Sequence, residues 1–219
     1  MNAMNEAQAP GPLRRVQAGY TTGVRSLAAR SIRGLARTRV TPNALTAAGV
    51  ALCAVAAVLV FFEDRDELVF YWLGALAFVI GSVLDILDGA LARTSGKGTP
   101  FGAFLDSTTD RVSEGFMLTA IAYVLARHDR DVFVAVAMAA VAGSFLVSYT
   151  RARAEALGLK GDIGIGSRAE RVVVITAGLV LAPWGVLPWA LVLLACTAWV
   201  TVAQRVLHVR KQLTGGNPS

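Results

Sequence analysis

Four aspartates, Asp85, Asp88, Asp106 and Asp110, lie where charge is least welcome, inside or at the ends of long apolar stretches. At mid-span an aspartate costs on the order of 2.5–3.5 kcal/mol on membrane-insertion scales, so an intramembrane acid is a functional signal by default. The first two are three residues apart and the second two four apart, which turns each pair to one side of its helix. Only the short connection from Thr94 to Pro100 separates the two helices. They are therefore expected as antiparallel neighbours, with all four carboxylates at one end. Unpaired, such a group cannot stay ionised at neutral pH; protons or cations must neutralise it. Hard divalent ions such as Mg²⁺ take oxygen ligands, and two of them ~3.5–4 Å apart clamp the attacking and leaving oxygens of a phosphoryl displacement. A binuclear carboxylate site is the chemistry this spacing suggests. The competing arrangement pairs aspartates with arginines, and Arg93 and Arg111 are near enough in sequence to neutralise two of them.

The elements that must hold these residues are membrane helices. Hydrophobic residues make up 55% of the chain and charged ones only 16%, outside the usual range of soluble globular domains. A mean hydropathy of +0.56 agrees. Near-uncharged runs at 41–62, 68–92, 101–126, 132–154, 168–183 and 187–208 predict a six-transmembrane-helix bundle, an all-α integral membrane protein occupying 41–210. Pro183-Trp184-Gly185 separates the last two spans, and the shortness of the fifth leaves five or seven spans open. Thr41-Pro42 reads as an N-cap followed by proline at the first helical position, and Ser167 with Glu170 as a capping box.

Ahead of the bundle, residues 15–40 are expected to form an amphipathic juxtamembrane helix. Val24, Leu27, Ala28, Ile32 and Leu35 share one face and Arg30, Arg33 and Arg37 the other, which suits an anionic leaflet. Disorder is expected for 1–14 and a flexible tail for 211–219. Basic residues near both termini and around Lys97 and Lys160 place the termini and the aspartates on the cytoplasmic side of the cell membrane. A secretory signal peptide is not expected, since some forty polar or basic residues precede the first apolar run. Cys53 and Cys196 fall within spans and imply no disulfide or metal framework. The +6 net charge does not indicate nucleic acid as a partner, because the basic residues flank spans and no nucleic-acid motif accompanies them.

Around the aspartates the sequence reads Asp85-x-x-Asp88-Gly89-x-x-Ala92-Arg93, eight residues, then Gly102-x-x-x-Asp106-x-x-x-Asp110. This resembles the CDP-alcohol phosphatidyltransferases at every position of their signature, spacer included. The resemblance implies a homodimeric enzyme, dependent on two Mg²⁺ (or Mn²⁺) ions per site, that moves a phosphatidyl group from CDP-diacylglycerol to an alcohol and releases CMP. It also implies that Asp85, Asp88 and Asp106 hold metal, that Asp110 is both metal ligand and catalytic base, and that Asn43, Ala44, Leu45, Thr46 and Thr99 contact the CDP-lipid. Gly89, Ala92 and Gly102 let a base or a backbone approach, and Arg93 can fork onto phosphate. Read without the resemblance, Thr41, Pro42 and Thr99 are helix punctuation.

Arginines should select the acceptor. Arg151 and Arg153 end the fourth span, Arg168 and Arg171 open the fifth and Arg205 ends the sixth, all on the side of the aspartates. Topology alone puts arginines at such ends, but a helix N-terminus adds a positive dipole that favours an anion. Within the family, the run Ser148 to Glu155 followed by Arg168-Ala169-Glu170-Arg171 is most similar to phosphatidylinositol phosphate synthases, which implies a phosphorylated alcohol, 1D-myo-inositol 3-phosphate, as acceptor. Arginine at 151 departs from the lysine usual there, so glycerol 3-phosphate and archaeal-type lipids stay open. A cation transporter would scatter acids near the midplane of several helices or show internal repeats; here they cluster on two consecutive helices and no repeat is found.

Overall fold

In lipid, a backbone can satisfy its polar groups only within itself, and uninterrupted apolar runs therefore fold as helices. A computed structural model of the chain describes residues 40–96 and 98–215, and among these all regular structure is helical. Six helices follow one another: α1 (Pro42–Phe61), α2 (Glu67–Ser95), α3 (Pro100–Arg127), α4 (Asp131–Ala156), α5 (Arg168–Val180) and α6 (Leu187–Gly215), with 3₁₀ turns at Glu63–Arg65 and Ala182–Trp184. The expected juxtamembrane helix, the segment 1–14, Lys97 and residues 216–219 lie outside the described residues. Residues 211–215, expected in a tail, continue α6 instead. Gln212 holds this extension to the α4–α5 loop through two hydrogen bonds: its side-chain oxygen accepts from Lys160 N at 3.0 Å and its Nε2 donates to Lys160 O at 2.8 Å.

Four helices, α1, α2, α4 and α6, are long and apolar enough to cross a bilayer, which makes this a multi-pass membrane protein. The other two differ for physical reasons. α3 has the length, at 28 residues, but the stretch up to its middle carries Asp106, Asp110, Arg111 and Glu114. α5 has only 13 residues and rises about 20 Å, against a hydrocarbon core of about 30 Å.

Local chemistry sets the starts at the site end. Thr41 Oγ1 accepts from Ala44 N at 3.2 Å and Thr99 Oγ1 from Gly102 N at 2.9 Å, each just before a proline. Ser167 and Glu170 form the reciprocal capping box that opens α5. α1 lies closest to α2 at Gly49 and Gly81, where a Cβ on Gly81 would sit 2.8 Å from Gly49 O and 2.7 Å from Cys53 Sγ. Met117, Leu118 and Ile121, in the second half of α3, are fully buried together with Phe78, Leu179, Leu191 and Leu194.

The up-and-down course gathers the starts of α1, α3 and α5 and the ends of α2, α4 and α6 at one end of the bundle. A separate ionic clamp closes the other end. There the fully buried Glu63 meets His128 Nε2 at 3.1 Å and Arg127 at 3.7 Å, and Arg127 also pairs with Asp64 at 2.9 Å. The Arg127 guanidinium stands 5.4 and 5.1 Å from the Phe61 and Tyr123 ring centres and donates to Phe61 O, tying the α1–α2 turn to the end of α3.

Candidate active site

Each aspartate occupies its place because α2 and α3 turn one side toward α1 and α5. Asp85 and Asp88, 6% and 2% exposed, lie in the last third of α2; Asp106 and Asp110 lie in the first turns of α3. Carboxylate oxygens of Asp85, Asp88 and Asp106 all come within 4.8 Å of one another. Thr46 Oγ1 on α1 donates to Asp88 Oδ2, while Asp88 Oδ1 is buried without a hydrogen-bond partner. An orphaned buried carboxylate oxygen is costly, and three carboxylates around it make the donor set that Mg²⁺ or Mn²⁺ prefers and soft metals do not. The residues present therefore fit a hard divalent cation.

Asp110 is engaged differently. Arg168, from the first turn of α5, reaches across to pair with both Asp85 Oδ2 and Asp110 Oδ1, the latter at 2.8 Å. The Asp110 contact is an ion pair off the hydrogen-bond axis, since Asp110 Oδ1 has no hydrogen-bond partner. In the competing arrangement Arg93 and Arg111 would neutralise two of the aspartates. Arg111 instead donates back to Ser107 O of its own helix, and the Arg93 guanidinium lies over Gly89. Arg168, expected at the acceptor, is held among the aspartates.

Two cavities flank the carboxylates, and Asp106 lines both. The smaller, about 210 Å³, is walled by Asn43 and Thr46 of α1, Asp88, Gly89, Ala92 and Arg93 of α2, and Thr99 and Gly102 at the start of α3. A Cβ on Gly102 would stand 3.2 Å from Thr99 Oγ1 and 3.6 Å from Asn43 Oδ1, so a side chain there would press on this wall. Ala44 and Leu45, expected among the CDP-lipid contacts, do not line it. Successive helical residues are turned about 100°, so Asn43 and Thr46 share the cavity face whereas Ala44 is exposed and Leu45 buried elsewhere. The larger cavity, about 1040 Å³, is an open groove between α3 and α4 that runs from Asp106 and Asp110 past Arg111 to Tyr149 and Arg151.

Among the expected acceptor arginines, Arg151, Arg171 and Arg205 come together, and the charges of the first two act on Arg205. Arg205 donates from Nε to Ile163 O at 2.7 Å and also to Val147 O, and Arg151 pairs with Glu155 one turn on at 2.8 Å. Arg171 is bound by a residue the sequence reading passed over, Glu114: Nε and Nη2 donate to its two carboxylate oxygens at 2.7 and 3.0 Å, and Nη1 donates to Gly166 O at 2.9 Å. Arg153, two residues from Arg151 and so nearly opposite on α4, is exposed and lines neither cavity. Glu114 follows Asp110 by four residues and Asp106 by eight, so the period that singled out the aspartates extends to it.

Comparison with known proteins agrees with this arrangement. The profile of the CDP-alcohol phosphatidyltransferase family matches residues 39–203. The chain is 38% identical over 181 residues to a phosphatidylinositol phosphate synthase of Mycolicibacterium smegmatis, covering 80% of this chain and 79% of that one. It is 36% identical over 185 residues to an archaetidylinositol phosphate synthase of Pyrococcus horikoshii, covering 83% and 90%. Among solved structures, a Mycobacterium tuberculosis phosphatidylinositol phosphate synthase with CDP-DAG bound superposes with a TM-score of 0.74 at 33% identity, covering 84% of this chain and 94% of that one. The same enzyme in complex with manganese and citrate gives 0.74 at 34% identity, covering 84% and 88%.

Proposed function

The chain belongs to the CDP-alcohol phosphatidyltransferase family, and from that premise we propose that it transfers the phosphatidyl group of CDP-diacylglycerol to 1D-myo-inositol 3-phosphate, giving phosphatidylinositol phosphate and CMP. One observation carries this reading: a carboxylate cluster with an orphaned oxygen stands between two cavities that share Asp106. A donor and an acceptor can therefore reach the same charges from opposite sides. The small cavity, with its glycine and alanine walls and Arg93, suits the nucleotide and diphosphate. Arg151, Arg171 and Arg205 suit the anion of a phosphorylated alcohol.

Asp85, Asp88 and Asp106, joined by Asp110, would hold two divalent ions, Mg²⁺ or Mn²⁺. Such ions supply polarisation of the phosphate and neutralisation of the oxygens that gain charge. The protein's own part is positional and acid–base. Arg93 holds the diphosphate. Asp110 accepts the proton of the acceptor hydroxyl as that oxygen bonds to the lipid-side phosphorus, and the bond from this phosphorus to the oxygen of the CMP phosphate breaks, releasing CMP.

A site and chain ends on the cytoplasmic side are supported by the arginines and lysines gathered at the site end, Arg151, Arg153, Lys160, Arg168, Arg210 and Lys211, and the family resemblance supports six helices in the bundle, the short α5 among them. The family resemblance supports a homodimer. Light scattering of the detergent-solubilised protein tests that point; a monomeric mass at working concentration overturns it.

To test the acceptor, purified protein is given CDP-diacylglycerol and Mg²⁺ with inositol phosphate, glycerol 3-phosphate or inositol in parallel. CMP release is expected with inositol phosphate. Release with glycerol 3-phosphate alone would make the product phosphatidylglycerol phosphate.

A further inference from the structure

Glu114 and Arg171 are 7% and 6% exposed, and they form the only buried side-on carboxylate–guanidinium pair among the described residues. α3 and α5 meet through long side chains rather than close backbone packing, so this pair and the Arg168–Asp110 contact set how the start of α5 faces the site. A guanidinium has five N–H groups. Glu114 takes two and Gly166 O takes one, which leaves Arg171 two donors. Arg205 and Arg151 bring two more positive charges to the same region from α6 and α4, and their charges repel. Cations crowded in this way suit a doubly charged anion such as a phosphate monoester.

We infer that Glu114 is a positioning residue for the acceptor: by fixing the plane of the Arg171 guanidinium, it aims the two unused N–H groups of Arg171 at the phosphate of the alcohol substrate. This rests on the proposed function above, in that it needs an acceptor carrying a phosphate. A carboxylate can accept from Nε and Nη2 together, whereas the amide of glutamine offers one oxygen and confronts the other donor with an NH₂ group. Glu114→Gln therefore leaves the packing in place and frees the guanidinium to turn.

The experiment is steady-state CMP release by the full chain in detergent with Mg²⁺, using whichever phosphorylated acceptor the unaltered protein accepts. Glu114→Gln, Glu114→Asp, Arg171→Gln and the double variant Glu114→Gln/Arg171→Gln are compared. Glu114→Gln is expected to raise KM for the acceptor by about tenfold or more and to leave KM for CDP-diacylglycerol unchanged. Glu114→Asp should recover part of the loss. The double variant should match Arg171→Gln alone, because Glu114 acts through Arg171. An unchanged acceptor KM in Glu114→Gln, equal losses for both substrates, or a double variant whose effect is the product of the two singles would each overturn the inference. If the unaltered protein uses only an unphosphorylated alcohol, the functional reading fails, and this inference with it. Failure of the Glu114 variants alone leaves that reading intact.

Discussion

Asp110→Asn should reduce CMP release by about a thousandfold while the protein continues to bind Mn²⁺. Asparagine has the shape of aspartate but cannot take a proton from a hydroxyl, and loss of a well-placed general base costs roughly 10²–10⁴ in rate. Retention of metal follows from the geometry. Asp85, Asp88 and Asp106 already bring their oxygens together without Asp110, which is turned to Arg168. Rate and Mn²⁺ binding, the latter by electron paramagnetic resonance, are measured on the same sample. Turnover close to that of the unaltered enzyme would remove Asp110 from the role of base, and loss of all bound Mn²⁺ would show that Asp110 is indispensable to the ligand cluster.

Asp88→Asn should have the complementary signature. Both activity and Mn²⁺ binding are expected to disappear, because Asp88 brings to the cluster with Asp85 and Asp106 a carboxylate oxygen that is buried and without a hydrogen-bond partner. The same change should make the metal-free protein more resistant to heat. Without a cation, a buried carboxylate beside two others is a cost to the fold, and a neutral amide can keep the Thr46 hydrogen bond without the repulsion. Thermal unfolding in the presence of a chelator measures this. A lower melting temperature for the Asp88→Asn protein under those conditions would contradict the account of Asp88 as a group tolerated for its ligand.

Much of this site was legible because membranes make polar residues conspicuous. An aspartate in an apolar helix is an energetic anomaly, and the spacings of Asp85 with Asp88 and Asp106 with Asp110 assign each pair to a face before any coordinates exist. The helix starts at Thr41-Pro42 and Ser167–Glu170 were equally readable, since a cap is written within four residues. Partnerships between distant helices were not. Arg168 meets Asp85 across 83 positions and Arg171 meets Glu114 across 57, and local spacing carries no trace of either. Glu114 was easy to overlook for a further reason: three residues after Arg111 on the same helix, it reads as half of an ordinary surface ion pair. Ala44 and Leu45 stay off the small cavity because a helix shows a cavity only every third or fourth residue of a contiguous stretch. The end of α6 was not legible because Gln212, a polar residue near the end of the chain, gives no sign in sequence of gripping a loop.

Arg168 and Arg171 meet Asp110 and Glu114 on helices that run in the same direction, with intervals that do not match: about 4.5 Å between the arginine Cα levels and about 6 Å between the acids. Two scales of unequal division agree at one setting only, as on a vernier. Sliding α5 by a turn would carry one guanidinium past its acid and leave a charge stranded, so no intermediate setting keeps both pairs. A 13-residue helix, anchored in the core by Ile175 and Leu179, is in this way given a single axial position. That position brings Arg168 level with the carboxylates and Arg171 one step deeper.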